Sequence, residues 1–304
     1  MLSREVQRYV ALRRGLGYRL LETERSLLAF AKFAEVAGDI HVRAGRALEW
    51  ASMASTPTMR GVQLRTVAMF AAFLRAEDPA HELPPTGLFP TIRQRQAPYI
   101  YSRDELVRLI EAAGRLHRTY PLRRETYATL LGLIASTGLR ISEALDLTSD
   151  DIEPGGGTLV VRRGKFGKSR RVPLHPTVGE ALGRYIDARR KLGGGDQHLF
   201  VSASGRRIGS SMANYTFRRI ARLASIETGG ARPCRIHDLR HTFATRSLEA
   251  CAIDRGAVAE HFVALSTYLG HTDIKHTYWY FEATSELMTS MARAAETLMA
   301  GATR

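Results

Sequence analysis

Between Glu77 and Pro98 the chain carries Pro79, Pro84, Pro85, Pro90 and Pro98. A proline inside a helix removes a backbone donor and clashes with the preceding turn, so no helix runs through this stretch. Helical periodicity on either side therefore belongs to two separate units, and residues 79–98 are expected to be an interdomain linker. A chain of 304 residues can bury two cores. The expected division is a helical unit over 1–78, a second unit over 99–285, and a final helix over 286–304. The fold class that follows is mainly α with a small antiparallel β-sheet.

The front unit shows four helical segments, near 3–14, 20–37, 43–54 and 58–76. Thr56 and Pro57 supply a cap and a first-turn proline for the fourth. Val62, Val67, Phe70, Phe73 and Leu74 form its apolar stripe, with Arg60, Arg65 and Arg75 on the other face. Any one such arginine would ordinarily be a solvated surface charge. Together with Arg13, Arg14 and Arg19 they make the unit a candidate DNA-contacting module, and Arg93 and Arg95 are placed to meet phosphates along the linker. The whole chain supports that expectation, since its formal net charge of +14 and pI of about 10.3 come from arginines spread along its length. A distributed basic surplus suits a polyanionic partner.

Cys234 and Cys251 are the only cysteines, too few for a disulfide framework and without metal-ligand spacing, so both are expected to be reduced, packed thiols. The start Met1-Leu2-Ser3-Arg4-Glu5 lacks a signal-peptide core, and no apolar run of about 18 residues occurs. A soluble, cytoplasmic protein is expected, associated with the nucleoid when bound to DNA.

In the second half, Ser102 and Glu105 have capping-box spacing and mark a helix start. Residues 125–136 read as a buried helix that turns at Thr137-Gly138 into Leu139-Arg140-Ile141-Ser142-Glu143. Arg140 and Glu143, three apart, share a helical face, as a site pair or a plain surface ion pair. Thr158–Arg162 and Arg171–Leu174 flank Gly164-Lys165-Phe166-Gly167, the best hairpin signal in the chain. Lys165 at the tip is either a solubilising charge or an ammonium able to swing into a groove. Helices follow near 176–191 and 211–224. His237 and Arg240 then sit one turn apart at a helix start, a spacing that suits joint contact with one phosphate, although a lone histidine there is more often a cap or core group. His271 precedes Tyr280 by nine residues (280 − 271). A free phenol has a pKa of about 10 and is a poor nucleophile at neutral pH, so Tyr280 would need cationic help.

Four separated blocks, Thr137–Leu145, Gly164-Lys165, His237-Asp238-Leu239-Arg240-His241 and Leu269-Gly270-His271, followed by Tyr280, give residues 98–285 a specific resemblance to the tyrosine recombinases of the phage integrase and Xer type. Phe166 stands where that family often has a second glycine. The resemblance implies a helical core-binding domain followed by a catalytic domain, and a DNA strand transferase that cuts and rejoins specific double-stranded sites through a 3′-phosphotyrosine bond and a Holliday junction. It implies that Arg140 and Arg240 clamp the scissile phosphate, that Lys165 protonates the leaving 5′ oxygen, and that His237 and His271 hydrogen-bond the phosphate or handle the nucleophile's proton. Glu143 falls at the family's bracing acid. The nine-residue spacing selects Tyr280 over Tyr278 as nucleophile.

The chemistry agrees with those roles. In-line attack builds charge on equatorial oxygens that planar guanidiniums meet bidentately, and a positioned acid is worth about 10²–10⁴ in rate. A phosphotyrosine conserves the energy of the broken bond, so no ATP or other cofactor is expected, and no metal. The early first helix leaves no room for an arm-site-binding domain, which favours a recombinase of a mobile element or a Xer-like resolvase. Leu287, Met291, Ala294, Ala295 and Leu298 share one side of the last helix, which packs either on its own domain or into a neighbouring subunit of a tetramer on DNA. An accessory recombinase or DNA-bending protein is a further partner the resemblance allows. The alternatives are use of the same chemistry by a type IB topoisomerase or telomere resolvase, and a non-catalytic DNA-binding relative.

Overall fold

The computed structural model describes residues 1–18, 20–89, 97–117, 122–153, 155–162, 169–193, 196–202, 204–226, 228, 233–250 and 255–270. The chain divides into two compact units, Met1–Gln96 and Ala97–Arg304.

The first unit holds α1 (Leu2–Gly15), α2 (Leu21–Val36), α3 (Ala44–Ser52) and α4 (Pro57–Arg75). Their shared core includes Val6, Leu27, Phe30, Trp50, Leu64, Val67, Phe70 and Leu74. The Thr56 side chain accepts the Met59 N–H at 3.2 Å and Pro57 opens α4, as the sequence predicts. Val62 is instead 49% exposed, while Leu64 takes the inward position. Two residues along a helix turn the side chain by about 200°, so both cannot face the core. Arg65 lies on the exposed face, whereas Arg60 folds back and donates through Nε to the Ala54 carbonyl at 2.9 Å.

Residues 79–89, expected as linker, fold onto this unit. The Glu82 N–H donates to the Val42 carbonyl at 2.8 Å, the Val42 N–H donates to His81 Nδ1 at 3.0 Å, and Phe89 packs against the helical core. The prolines stop helix α4 from continuing, yet the backbone between them still pairs with the loop before α3. Arg93 and Arg95 lie outside the described residues.

The second unit contains α5 (Arg103–Gly114), α6 (Arg123–Thr137), α7 (Ile141–Leu145), the strands β1 (Thr158–Val161) and β2 (Arg170–Pro173), α8 (Pro176–Leu192), α9 (Ser210–Leu223), α10 (Ile236–Glu249) and α11 (Arg255–Leu269). Ser102 and Glu105 form the predicted capping box on α5. Helix α6 is central, packing against α5, α8 and α10. Leu130, Leu131 and Ile134 of α6 join Leu109, Leu139, Leu145, Phe217 and Leu239 in one core. The strands pair antiparallel with Thr158 opposite Pro173 and Val161 opposite Arg170. Helix α11 has no counterpart in the expected elements. It buries Phe262, Leu265 and Leu269 against Ala244 and Leu248 of α10.

Candidate active site

The site begins at the end of α6. Gly138 closes that helix in the left-handed region at φ 63°, and a Cβ there would lie 2.5 Å from Phe243 Cδ1 and 3.0 Å from Leu269 Cδ2. Only glycine combines that dihedral with that approach. The turn delivers Arg140 to the N-cap of α7. Its backbone N–H donates to Glu143 Oε2 at 3.0 Å, and its Nη1 donates to Oε1 at 2.8 Å. The same pair that closes the first turn of α7 thus orients the guanidinium.

Arg240 arrives from α10 and is only 1% exposed. Its Nη1 donates to the Gly138 carbonyl and its Nη2 to the Leu269 carbonyl, each at 2.7 Å. Helix α10 is itself held in register by Tyr101, whose backbone N–H donates to Thr242 Oγ1 at 3.0 Å and whose hydroxyl donates to the Arg235 carbonyl at 3.1 Å. Fully buried Asp238 accepts the Arg235 N–H at 2.8 Å and satisfies one donor at the helix start.

These contacts converge on the C-terminal end of α11. Three successive carbonyls there each accept from a different guanidinium: Tyr268 from Arg170 Nε at 2.8 Å, Leu269 from Arg240 Nη2 at 2.7 Å, and Gly270 from Arg140 Nη2 at 3.3 Å. The last carbonyls of a helix lack intrahelical partners, and the helix end carries about half a negative charge, so it gathers cations. Glu143, 7% exposed, sits beneath two of them, taking Arg170 Nη1 on Oε1 at 3.1 Å and Arg170 Nη2 on Oε2 at 2.9 Å. Burial opposes its ionisation, but the Arg170 bonds and then Arg140 outweigh it and hold the carboxyl at about 2. Three guanidiniums against one carboxylate leave a surplus of two positive charges (3 − 1), which suits an anionic ligand.

His237 lies in the first turn of α10, its ring edge-on to His241 with centroids 4.7 Å apart. Burial, followed by repulsion from Arg240, Arg235 and Arg140, pushes its pKa down to about 4. Near neutral pH it is therefore an uncharged hydrogen-bonding group beside the arginines.

The structure thus brings Arg140, Glu143, His237 and Arg240 together. Lys165, His271 and Tyr280 lie outside the described residues, although His271 directly follows Gly270 and the hairpin strands bracket residues 163–168. Arg170 escaped the sequence reading. Its signal is strand alternation, which places it on the buried face with Val172 while Arg171 and Pro173 point outward. The helix expected near 211–224 is present as α9, but its basic face was not singled out: Met212, Tyr215, Arg218, Arg219 and Arg222 are exposed opposite buried Phe217 and Ile220, in a helix without an acidic residue.

Among the described residues, His41, Asp78 and His81 alone have metal-like proximity, with ligand atoms within 4.8 Å of one another. They do not suit a metal. His81 Nδ1 accepts the Val42 N–H, so the ring proton sits on Nε2 and no lone pair points at the other two. His41 Nε2 already meets Asp78 Oδ2 at 3.0 Å, and the group ties the end of α4 to the loop before α3. No helix among the described residues is long and apolar enough to cross a membrane.

The chain resembles known proteins along most of its length. The chain is 36% identical over 301 residues, 96% of each protein, to the putative integrase/recombinase y4rB of Sinorhizobium fredii (strain NBRC 101917 / NGR234). Its fold matches the Tn1549 transposon integrase in complex with transposon right end DNA at a TM-score of 0.66, with 18% identity, covering 97% of this chain and 99% of that one. It also matches a lambda integrase tetramer bound to a Holliday junction at a TM-score of 0.63, with 16% identity, covering 92% of this chain and 76% of that one. The kinship is with enzymes that break and rejoin DNA strands. The model of the phage integrase family matches residues 101–286, and the chain belongs to that family, the tyrosine recombinases.

Proposed function

We propose that this chain recombines specific double-stranded DNA sites by the attack of Tyr280 on a scissile phosphate held by Arg140 and Arg240. The observation that carries the reading is the meeting of these two arginines on the Leu269–Gly270 carbonyls, one residue before His271. As the phenol oxygen bonds to phosphorus, the P–O5′ bond breaks and the two guanidiniums stabilise the equatorial oxygens. Lys165 donates a proton to the departing 5′ oxygen. His237, held neutral, hydrogen-bonds the phosphate, and His271 helps receive the phenol proton. Glu143 fixes Arg140. Attack by another strand's 5′ hydroxyl reverses the chemistry, so rejoining needs no external energy source.

The first unit, through Arg65 and neighbouring arginines including Arg60, grips the duplex, and Arg93 and Arg95 of the connecting segment touch its backbone. The basic face of α9 adds phosphate contacts. Four copies act on two sites through a Holliday junction, with residues 286–304 docking into a neighbouring subunit. The element served is a mobile one, and the protein works in the cytoplasm on nucleoid DNA. Support comes from the transposon integrase and the junction-bound tetramer among the structures it matches.

The test is a denaturing gel with nicked, labelled DNA from the borders of the protein's own locus, in EDTA, beside a native gel shift. A covalent adduct in the wild type that vanishes in Tyr280→Phe, with binding retained, is the expected result. An adduct that persists in the variant moves the nucleophile to Tyr278. Relaxation of supercoils by monomers without sequence preference would replace recombination with a topoisomerase reading.

A further inference from the structure

We infer that Arg170 is a positioning residue for strand cleavage: by taking up the charge of Glu143, it keeps the Arg140 guanidinium available to the scissile phosphate. The inference rests on the proposed role of Arg140. The geometry is that of two arginines competing for one carboxylate. Glu143 Oε1 is shared by Arg140 Nη1 at 2.8 Å and Arg170 Nη1 at 3.1 Å, while Oε2 takes Arg170 Nη2 at 2.9 Å and the Arg140 backbone N–H at 3.0 Å. All the oxygens' main directions are used, and only one Arg140 side-chain nitrogen is committed to the carboxylate. Among the described residues, its other terminal nitrogen meets only the longer 3.3 Å contact to Gly270.

Without Arg170, a carboxylate whose side chain is 5% exposed would face one cation. It would turn both oxygens onto Arg140, forming the bidentate pair that guanidinium and carboxylate prefer. That pair would cancel the charge and occupy the fork that phosphate needs. Arg140 is the more exposed partner, its side chain 21% accessible against 15% for Arg170. Arg170 also fixes the place of this exchange. Its Nε holds the Tyr268 carbonyl, and its strand follows residues 163–168 in the sequence, Lys165 among them.

The test compares single-turnover cleavage of a nicked site bearing an ordinary phosphate with one bearing a methylphosphonate, which lacks the nonbridging charge. The proteins are wild type, Arg140→Ala, Arg170→Met, Glu143→Gln and the Arg170→Met/Glu143→Gln double variant. Arg170→Met should bind DNA within about 2-fold of wild type and cleave the charged phosphate about 10²-fold more slowly, the scale of losing one charge-stabilising donor. The loss should shrink below about 10-fold on the neutral substrate, and the double variant should recover about 10-fold on the charged one, because no carboxylate is left to capture Arg140. Equal losses on both substrates with no recovery in the double variant would make Arg170 a packing residue and overturn the inference. Should Arg170→Met not unfold cooperatively, Arg170→Gln, which still hydrogen-bonds but carries no charge, carries the same comparison. If Arg140→Ala cleaves the charged phosphate as wild type does, the proposed active site itself is wrong; if it is inactive while Arg170→Met is unimpaired, only the role of Arg170 is wrong.

Discussion

Replacing Gly138 by alanine tests whether the close approach of α6, α10 and α11 is what assembles the site. The backbone there is at φ 63°, and the new methyl would press to 2.5 Å from Phe243 Cδ1 and 3.0 Å from Leu269 Cδ2. Holding a non-glycine residue in the left-handed region costs about 1–2 kcal/mol, and overpacking a filled core adds about 1–3 kcal/mol. The expected destabilisation is therefore about 2–5 kcal/mol, and each kcal/mol lowers the melting point of a unit this size by about 2–4 °C. The strain cannot stay local, because the Gly138 carbonyl anchors Arg240 and the next turn carries Arg140. Cleavage should fall further than stability alone explains at temperatures where the variant remains folded. Gly132→Ala is the control: it lies within α6, and its added methyl meets nothing closer than Ile110 Cδ1 at 3.9 Å. It should be neutral or stabilising by about 0.5–1 kcal/mol. Urea unfolding of both variants, followed by adduct formation, makes the comparison. A Gly138→Ala protein within about 0.5 kcal/mol of wild type, a change typical of featureless surface sites, would refute the reasoning.

Two further predictions concern charge. His237 and His241 have folded pKa values pushed down to about 4 and about 3, so the unfolded chain takes up protons that the folded one excludes; stability should be full above about pH 6.5 and fall as the pH drops toward 4, and His241→Asn, read by urea midpoints across that range, should flatten the fall. Replacing Arg218, Arg219 and Arg222 with alanine should weaken binding to all DNA sequences alike and reduce the slope of log K against log salt by about 3, one unit for each lost phosphate contact; an unchanged slope would remove α9 from the interface.

What was legible in the chain was what is local. Ser102 with Glu105, Arg140 with Glu143, and His237 with Arg240 each sit within one helical turn, where three-residue spacing fixes a shared face. The hairpin was legible because alternation and a glycine-flanked tip coincide. The function of Arg170 was not, since its partners Glu143 and Tyr268 lie 27 and 98 residues away and only the folded unit brings them together. Helix α11 was missed because its sequence, RGAVAEHFVALSTYL, spreads apolar residues around the helix and shows little one-sided pattern. Val62 misled because it is hydrophobic but stands off the buried stripe. The stretch after α4 misled in the opposite sense, since a proline-rich composition excludes helix without excluding packing.

The cations of the site rest on main-chain oxygens at Tyr268, Leu269 and Gly270, and a carbonyl is the same group whatever side chain its residue bears. The mould for the guanidiniums is thus written in dihedral angles. The side chain of Tyr268 takes no part in that mould; its ring stacks on Phe243 with centroids 5.6 Å apart. To transplant the chemistry into another scaffold, a designer would copy the terminus of a helix, with Gly270 in the left-handed region at φ 65°, before copying any ligand.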